Sequence, residues 1–387
     1  MPDAPLDLTA PDGRYNRQEL ISWWDQSRLA GAQVLVVGAG ALGNEIVKNL
    51  VLLGVGNVTV IDMDTVENSN LARCVFFREG DEGSLKAEVV ARAASQMNPD
   101  VTVVSLVGDV RVAMGLGGYR AFDLVIGGLD NREARLHVNR CCWKTGTPWI
   151  DGAIEGLMGT MRVFVPPGSA CYECTLSDND FQLLAQRKAC SLLSRDDMLA
   201  GKVPTTITSA SIVAGMQTQE AVKLLHADLV PYEFGGKGVA YNGMTHDTYT
   251  VTYPCMDDCL SHDSYDPSMW VPISPRTTVA DALGHASALL GSEAVLELEH
   301  DVVTNLMCSA CNASEPVWRV LPAVASSQAL CPTCDGERVP TLVHAIDIGS
   351  DDAVLRRELG MLGLPSHDVV TARNGDTRLF FVLQEAA

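Results

Sequence analysis

Between residues 33 and 165, short apolar runs alternate with stretches of helical spacing. QVLVV, NVTVID, VTVVSLV, FDLVIGG and TPWID are each too uniformly apolar to keep one face in water, which predicts buried strands. Between them, ALGNEIVKNLVLLG and SLKAEVVARAASQMN carry a helical period, with stops at Gly54 and at Asn98-Pro99. The alternation predicts an α/β, doubly wound, mostly parallel sheet covered by helices on both faces. Ligands of such sheets sit at the carboxyl ends of the strands, where Gly38, Asp62 and Asp130 all fall.

Residues 175–204 break this rhythm with a mixed, polar stretch, and a loop of that length in a compact domain is usually functional or disordered. A long helix, TTITSASIVAGMQTQEAVKLLH, and two strands, GVAYNG and DTYTVTYP, follow it. LSHDSYDPSMWVPISP, with three prolines, reads as a linker. The expected division is therefore a domain over 1–265 and a small α+β domain over 266–387.

A chain of 387 residues is long enough for two or three domains with substantial cores. Its net charge of −20 argues against nucleic acid, whose phosphates demand clustered Lys and Arg. An acidic surface favours solubility, or neutral and basic protein partners. No apolar run approaches the ~20 residues of a membrane helix. MPDAPLDLTAPDGRYNRQ lacks the basic flank and apolar core of an export signal, so a cytoplasmic location is expected. There the 12 cysteines read as thiolates for metal or catalysis.

The chemistry starts at VLVVGAGALG, where a strand runs into Gly38, Gly40 and Gly43. This G-x-G-x-x-G turn brings backbone N–H groups close to a phosphate. Asp62 ends the next strand, at the distance where a ribose hydroxyl would be read. A dehydrogenase fits equally well up to this point. Arg73, Lys86 and then Asp130, followed by Asn131, tip the balance. Two cations beside a phosphate turn suit a triphosphate, and a carboxylate nearby suits Mg²⁺, so the nucleotide is read as ATP. No His or Tyr constellation for hydride chemistry stands out.

Cys171 and Cys174 have the spacing that lets two thiolates grip one Zn²⁺, and Cys255 with Cys259 could complete a tetrahedron. The second pair is loosely spaced, which leaves His262 as a replacement for one ligand. Cys308, Cys311, Cys331 and Cys334 form a C-x₂-C…C-x₂-C pattern with a zinc-ribbon spacer of 19 residues. Cys141 and Cys142 sit on the predicted helix REARLHVNRCCWKTG and read as packed core. Cys190 follows Arg187 and Lys188 in the long loop, where neighbouring cations stabilise a thiolate.

Together these motifs resemble the activating enzymes of ubiquitin-like proteins and their ThiF-type relatives, the thiamine- and molybdopterin-biosynthesis adenylyltransferases. The resemblance covers roughly residues 14 to 260: RYNRQ, GAGALG, IDMDTVENSNLARC, SLKAE, GLDNREAR, CYECTL and the helix ending QEAVKLL follow in the family's order. It implies a Rossmann-like adenylation domain. Gly38, Gly40 and Gly43 would line the nucleotide turn, with Asp62 on the ribose. Asn70, Arg73 and Lys86 would contact phosphates, and Asp130 would hold Mg²⁺. Arg17 resembles an arginine that reaches a phosphate from the neighbouring protomer, which implies a homodimer. One departure is Cys74, where the family usually has Gln and an amide hydrogen bond.

In members that form a thioester, a reactive cysteine follows the CxxC-Thr-Leu segment by about the distance of Cys190, which Ser191 succeeds here. CYECTL is closer in wording to eukaryotic modifier-activating enzymes than to sulfur-carrier ones. The C-terminal domain occupies the place of a ubiquitin-like domain that recruits a conjugating enzyme, and TVADALGHASALLG would allow a β-grasp with an inserted zinc ribbon. The resemblance implies adenylation of a ubiquitin-like protein ending in glycine, then a thioester on Cys190. Sulfur-carrier activation is the alternative, and an inactive scaffold a further one.

Overall fold

A computed structural model describes residues 13–182 and 204–384. The expected alternation is present as β1 (Gln33–Val37), β2 (Asn57–Asp62), β3 (Thr102–Val107), β4 (Leu124–Gly127) and β5 (Trp149–Glu155). Three further strands, β6 (Met158–Phe164), β7 (Lys237–Asn242) and β8 (Asp247–Thr252), extend it into an eight-stranded sheet of order β3-β2-β1-β4-β5-β6-β7-β8. β1 to β5 pair in parallel, whereas β5 to β8 pair antiparallel. β6 escaped the sequence reading because MGTMRVF, with Gly159, Thr160 and Arg162 inside it, alternates between buried and more exposed positions instead of forming a solid apolar run.

Helices among the described residues include α1 (Asn16–Glu19), α2 (Gln26–Gly31), α3 (Ala41–Leu53), α4 (Lys86–Met97), the single turn α5 (Val110–Ala113), α6 (Arg132–Thr145), α7 (Ile207–Leu225) and α8 (Val279–Leu290). Gly54 and Gly146 end α3 and α6 in the left-handed conformation that glycine adopts without strain. On one face of the sheet, Val34, Val36 and Val60 pack with Ile46 and Leu50 of α3 and with Val213 of α7. On the other, Leu35, Val37 and Val125 pack with Leu136 and Val138 of α6. Both faces of the central strands β1 and β4 are thereby removed from water, as continuous apolar strands require, whereas β3, expected as a buried strand, lies at the sheet edge and stays half-exposed.

The C-terminal part forms a six-stranded sheet from β9 (Trp270–Ile273), β10 (Val295–Cys308), β11 (Ser314–Val320), β12 (Arg338–Ile346), β13 (Val369–Asn374) and β14 (Thr377–Leu383), against which α8 packs. β9 and β14 pair in parallel at the sheet edge. A single strand, and no hairpin, precedes α8, so the parallel first-to-last pairing of a β-grasp is present without its opening hairpin.

The segment expected as a linker is instead packed structure. Tyr265 is buried and stacks on Phe380 at 3.8 Å between ring centroids, and β9 arises within the segment itself. Pro272 is tolerated there because β9 is an edge strand and need not donate on its free side. Val369, Phe380 and Val382 join the same core as Leu116 and Tyr119 of the first sheet's layer. The backbone N–H groups of Gly115 and Leu116 donate to Ser366 O at 3.0 Å and Asp368 Oδ1 at 3.2 Å. Proline density suggested a tether; buried aromatic side chains made it an interface.

Candidate functional site

The strand order reverses between β1 and β4, since β2 and β3 lie on one side and β4 and β5 on the other. At this switch point the chains leaving β1 and β4 diverge and open a crevice at the carboxyl ends. Gly38 leaves β1 with φ +99°, and a Cβ there would lie 2.6 Å from Gly128 O. A Cβ on Gly43 would lie 1.8 Å from Gly38 O, so α3 could not begin so close to the turn. Gly40 differs: its absent Cβ faces open space at the uncapped N-terminus of the 13-residue helix α3. Two glycines permit tight packing, and the third leaves the helix dipole and free N–H groups open to an anion.

Asp62, at the end of β2, accepts from Ala39 N at 2.7 Å and from Asp64 N at 2.8 Å. Burial pushes its carboxyl group above the usual carboxylate range, against these two hydrogen bonds. The carboxylate is thus pinned to the glycine turn. Asn44, buried beneath, donates to Ala39 O at 2.8 Å and accepts from Phe76 N at 3.0 Å. That side chain ties the turn to the segment carrying Arg73.

Lys86 begins α4 and its Nζ lies 2.8 Å from Asp64 Oδ2. Arg73 donates to Ser69 O at 3.0 Å, and buried Asn70 closes the same loop by accepting from Glu67 N at 3.1 Å. Asp130 is exposed where β4 gives way to α6; Asn131 caps that helix through Ala134 N at 2.7 Å and donates to Asp130 Oδ1 at 3.3 Å. The structure brings Gly38, Gly40, Gly43, Asp62 and Lys86 to the carboxyl edge, with Arg73 and Asp130 on the loops beside it.

Arg17 lies elsewhere. It is exposed on α1, whose neighbour Tyr15 packs against Gly54 at the far end of α3. Thirteen residues of helix separate Gly54 from the glycine turn, a length of about 20 Å. Cys74 is buried, and loss of hydration pushes its thiol up to about 11. Cys190 lies outside the described residues.

Two clusters have metal-ligand geometry. Cys171, Cys174, Cys259 and His262 place their donor atoms within 4.8 Å of one another, and Cys308, Cys311, Cys331 and Cys334 do the same. Cys171 Sγ lies 3.7 Å from Cys174 Sγ and 3.6 Å from Cys259 Sγ. In the second cluster the sulfur pairs lie 3.5 and 3.7 Å apart. Tetrahedral Zn–S bonds of ~2.3 Å place sulfurs about 3.8 Å apart, so both donor sets fit Zn²⁺. Cys255, expected as the partner of Cys259, stands outside the first group. It is exposed, 3.9 Å from His262 Nδ1, while His262 Nε2 lies 3.4 Å from Cys174 Sγ. His262 takes that corner because its ring stacks on Trp143, 4.5 Å between centroids and 17° between planes.

Sequence reasoning missed Asp64, Arg135, Asp151 and Arg162. Asp64 was legible as the second carboxylate of IDMD; the other three pair only in three dimensions. Arg135 Nε lies 2.8 Å from Asp151 Oδ1, and Arg162 Nη2 lies 2.5 Å from Asp151 Oδ2, with Asp151 fully buried.

Among the described residues, no helix is long and apolar enough to cross a membrane. Similar proteins include SUMO-activating enzyme subunit 2 of Dictyostelium discoideum, 38% identical over 38% of this chain and 22% of that protein. The NEDD8-activating enzyme E1 catalytic subunit of Schizosaccharomyces pombe is 37% identical over 44% of this chain and 38% of its own length. Adenylyltransferase and sulfurtransferase MOCS3-1 of Zea mays is 31% identical over 56% and 46%. The chain spans less than half the length of each of these relatives. E. coli MccB, solved with ATP, shares the fold with a TM-score of 0.53 at 21% identity, over 66% of this chain and 75% of that one. The ThiF family model matches residues 15–261, more than half of the chain, and the chain therefore belongs to the ThiF family.

Proposed function

We propose that the protein adenylates the C-terminal glycine of a ubiquitin-like protein and then holds it as a thioester on Cys190. The observation that carries the reading is the convergence of the open Gly40 turn, pinned Asp62 and cationic Lys86 on one switch-point crevice. The N–H groups of the turn and Lys86 receive phosphate oxygens of ATP, and Asp62 faces the ribose. Arg73 and Asn70 stand on the loop that closes over the phosphates. Asp130 would hold Mg²⁺, which neutralises phosphate charge. An oxygen of the incoming carboxylate attacks the α-phosphorus, pyrophosphate leaves, and a mixed anhydride forms. The Cys190 thiolate then attacks the acyl carbon and AMP departs.

Arg17 is exposed, has no ion pair among the described residues, and is too far from its own glycine turn. It is available to the crevice of a second protomer in a homodimer. The zinc clusters are structural: the first would clasp the CxxC segment to Cys259 and His262, the second would close the β10–β12 excursion. The C-terminal sheet is the surface for a conjugating enzyme.

A second reading is adenylation of a sulfur carrier for thiocarboxylate formation. It draws support from the maize relative, whose name pairs adenylyltransferase with sulfurtransferase and which aligns over 56% of this chain. ATP–pyrophosphate exchange that requires an added Gly-ended ubiquitin-like protein tests the adenylation step, and Asp130→Ala should abolish it. Exchange undiminished in that variant removes Asp130 from the metal site. A persulfide on Cys190, without passage of the carrier to another protein's cysteine, would decide for the second reading.

A further inference from the structure

We propose that Arg135 is a positioning residue for adenylation, holding in place the backbone that presents Asp130. The inference rests on the reading of Asp130 as the metal carboxylate, and deepens it.

The β4–β5 ladder runs only as far as Gly127 opposite Asp151. Beyond that pair the chain after β4 turns away to form the crevice, which leaves carbonyls without their sheet partners. Arg135 fills the gap. Its Nη2 donates to Leu129 O, immediately before Asp130, and to Gly152 O at 3.0 Å. One guanidinium therefore bridges the two strands at the point where they part. Its Nε lies 2.8 Å from Asp151 Oδ1, so the head group is oriented from a second direction.

The partners behind Arg135 are themselves fixed. Asp151 Oδ2 accepts from Arg162 Nε at 3.1 Å and Nη2 at 2.5 Å, and Arg162 Nη1 donates to Thr175 Oγ1 at 3.2 Å. Gln217 donates to Gly127 O at 2.8 Å, bracing β4 from the opposite face. Asp130, by contrast, is exposed, and among the described residues its side-chain hydrogen bond is with adjacent Asn131 alone. An exposed carboxylate that must meet a metal in one place depends on its backbone, and Leu129 O is the handle. A lysine at 135 would keep the charge yet could not serve both carbonyls and Asp151 with planar geometry.

The two arginines flank the same carboxylate, which supplies the control. Arg162→Lys perturbs the buried ion network without touching Leu129 O; Arg135→Lys perturbs both. In ATP–pyrophosphate exchange, Arg135→Lys should lower kcat about 10- to 100-fold, with KM for ATP changed less than about twofold. Arg162→Lys should stay within about threefold of the parent chain. Combined with Asp130→Asn, Arg135→Lys should add no further loss, because both act on one group. Equal losses in the two lysine variants, or multiplicative losses with Asp130→Asn, would overturn the proposal. Binding of Mn²⁺ in the presence of ATP, followed by electron paramagnetic resonance, separates this from failure of the adenylation reading. Should no Gly-ended protein support exchange, Arg135→Lys must still weaken Mn²⁺ binding where Arg162→Lys does not. Equal Mn²⁺ affinities, or no binding by the parent chain, would sink it.

Discussion

Lys86 Nζ sits 2.8 Å from Asp64 Oδ2, with the lysine side chain 12% exposed and the aspartate 53%. The cation is thus sheltered at the edge of the crevice while its counter-ion stays in water. A phosphate entering beside Gly40 would compete with Asp64 for that ammonium. Lys86→Met should lower ATP–pyrophosphate exchange about 10²–10³-fold, as loss of one oriented donor does. Asp64→Asn should instead tighten ATP by about threefold, the scale of a half-exposed pair. Weaker ATP binding in that variant would show that Asp64 orients Lys86 and does not merely occupy it.

Cysteine chemistry gives a second test. Cys74 lies buried beneath the Arg73 loop, and its thiol, at about 11, is almost wholly protonated at neutral pH. A buried thiol is neither reachable nor nucleophilic. Cys190→Ala should therefore keep pyrophosphate exchange and lose the DTT-sensitive adduct with the modifier on a non-reducing gel. Cys74→Ala should keep both. Survival of the adduct without Cys190 would move the thioester elsewhere.

The first metal cluster offers a ligand count. With zinc bound, iodoacetamide should label exposed Cys255 and spare Cys171, Cys174 and Cys259, as read by peptide mass spectrometry. His262→Ala should cost the chain one bound zinc, whereas Cys255→Ser should keep full stoichiometry. A chelator should expose all the protected thiols and lower Tm, because structural zinc contributes folding energy directly. Protection of Cys255 until chelation would make it the fourth ligand in place of His262.

Asp368 predicts a pH effect at the junction of the two sheets. It is fully buried, and burial with Glu299 nearby pushes its carboxyl up to about 7. Its Oδ1 accepts from Leu116 N, while Oδ2 has no hydrogen-bond partner among the described residues. A folded-state value above the unfolded 3.8 means the native protein retains a proton that the unfolded chain releases. This contribution to stability is complete below about 4 and is lost as pH rises to about 7. Asp368→Asn removes the loss and supplies a neutral amide of the same shape. The variant should gain stability over the parent chain at pH 8 relative to pH 4, by a few kcal/mol and at most about 4. Urea unfolding at both pH values checks it; an unchanged difference would mean that Asp368 ionises freely in place.

The residue pattern by itself determined the parallel half of the large sheet, its helices and the glycine turn. Buried parallel strands must be apolar throughout, and a phosphate turn must spare Cβ atoms, so both demands are written in local composition. Spacing likewise announced four thiolates of the ribbon, since C-x₂-C places two ligands on one turn. Other features depended on residues far apart in the chain. Whether His262 or Cys255 completes the first cluster turns on stacking against Trp143, more than a hundred positions earlier. The supposed linker became core because Tyr265 meets Phe380 across the interface, a contact no local window contains. Arg135, Asp151 and Arg162 read singly as ordinary charges; in the fold both arginines meet the Asp151 carboxylate, and the parting of β4 from β5 gives Arg135 the Leu129 and Gly152 carbonyls to bridge. Local sequence dictates which backbone forms, because propensity and periodicity act over a few residues. Charge pairing and stacking act through space, and tertiary structure alone decides which groups meet.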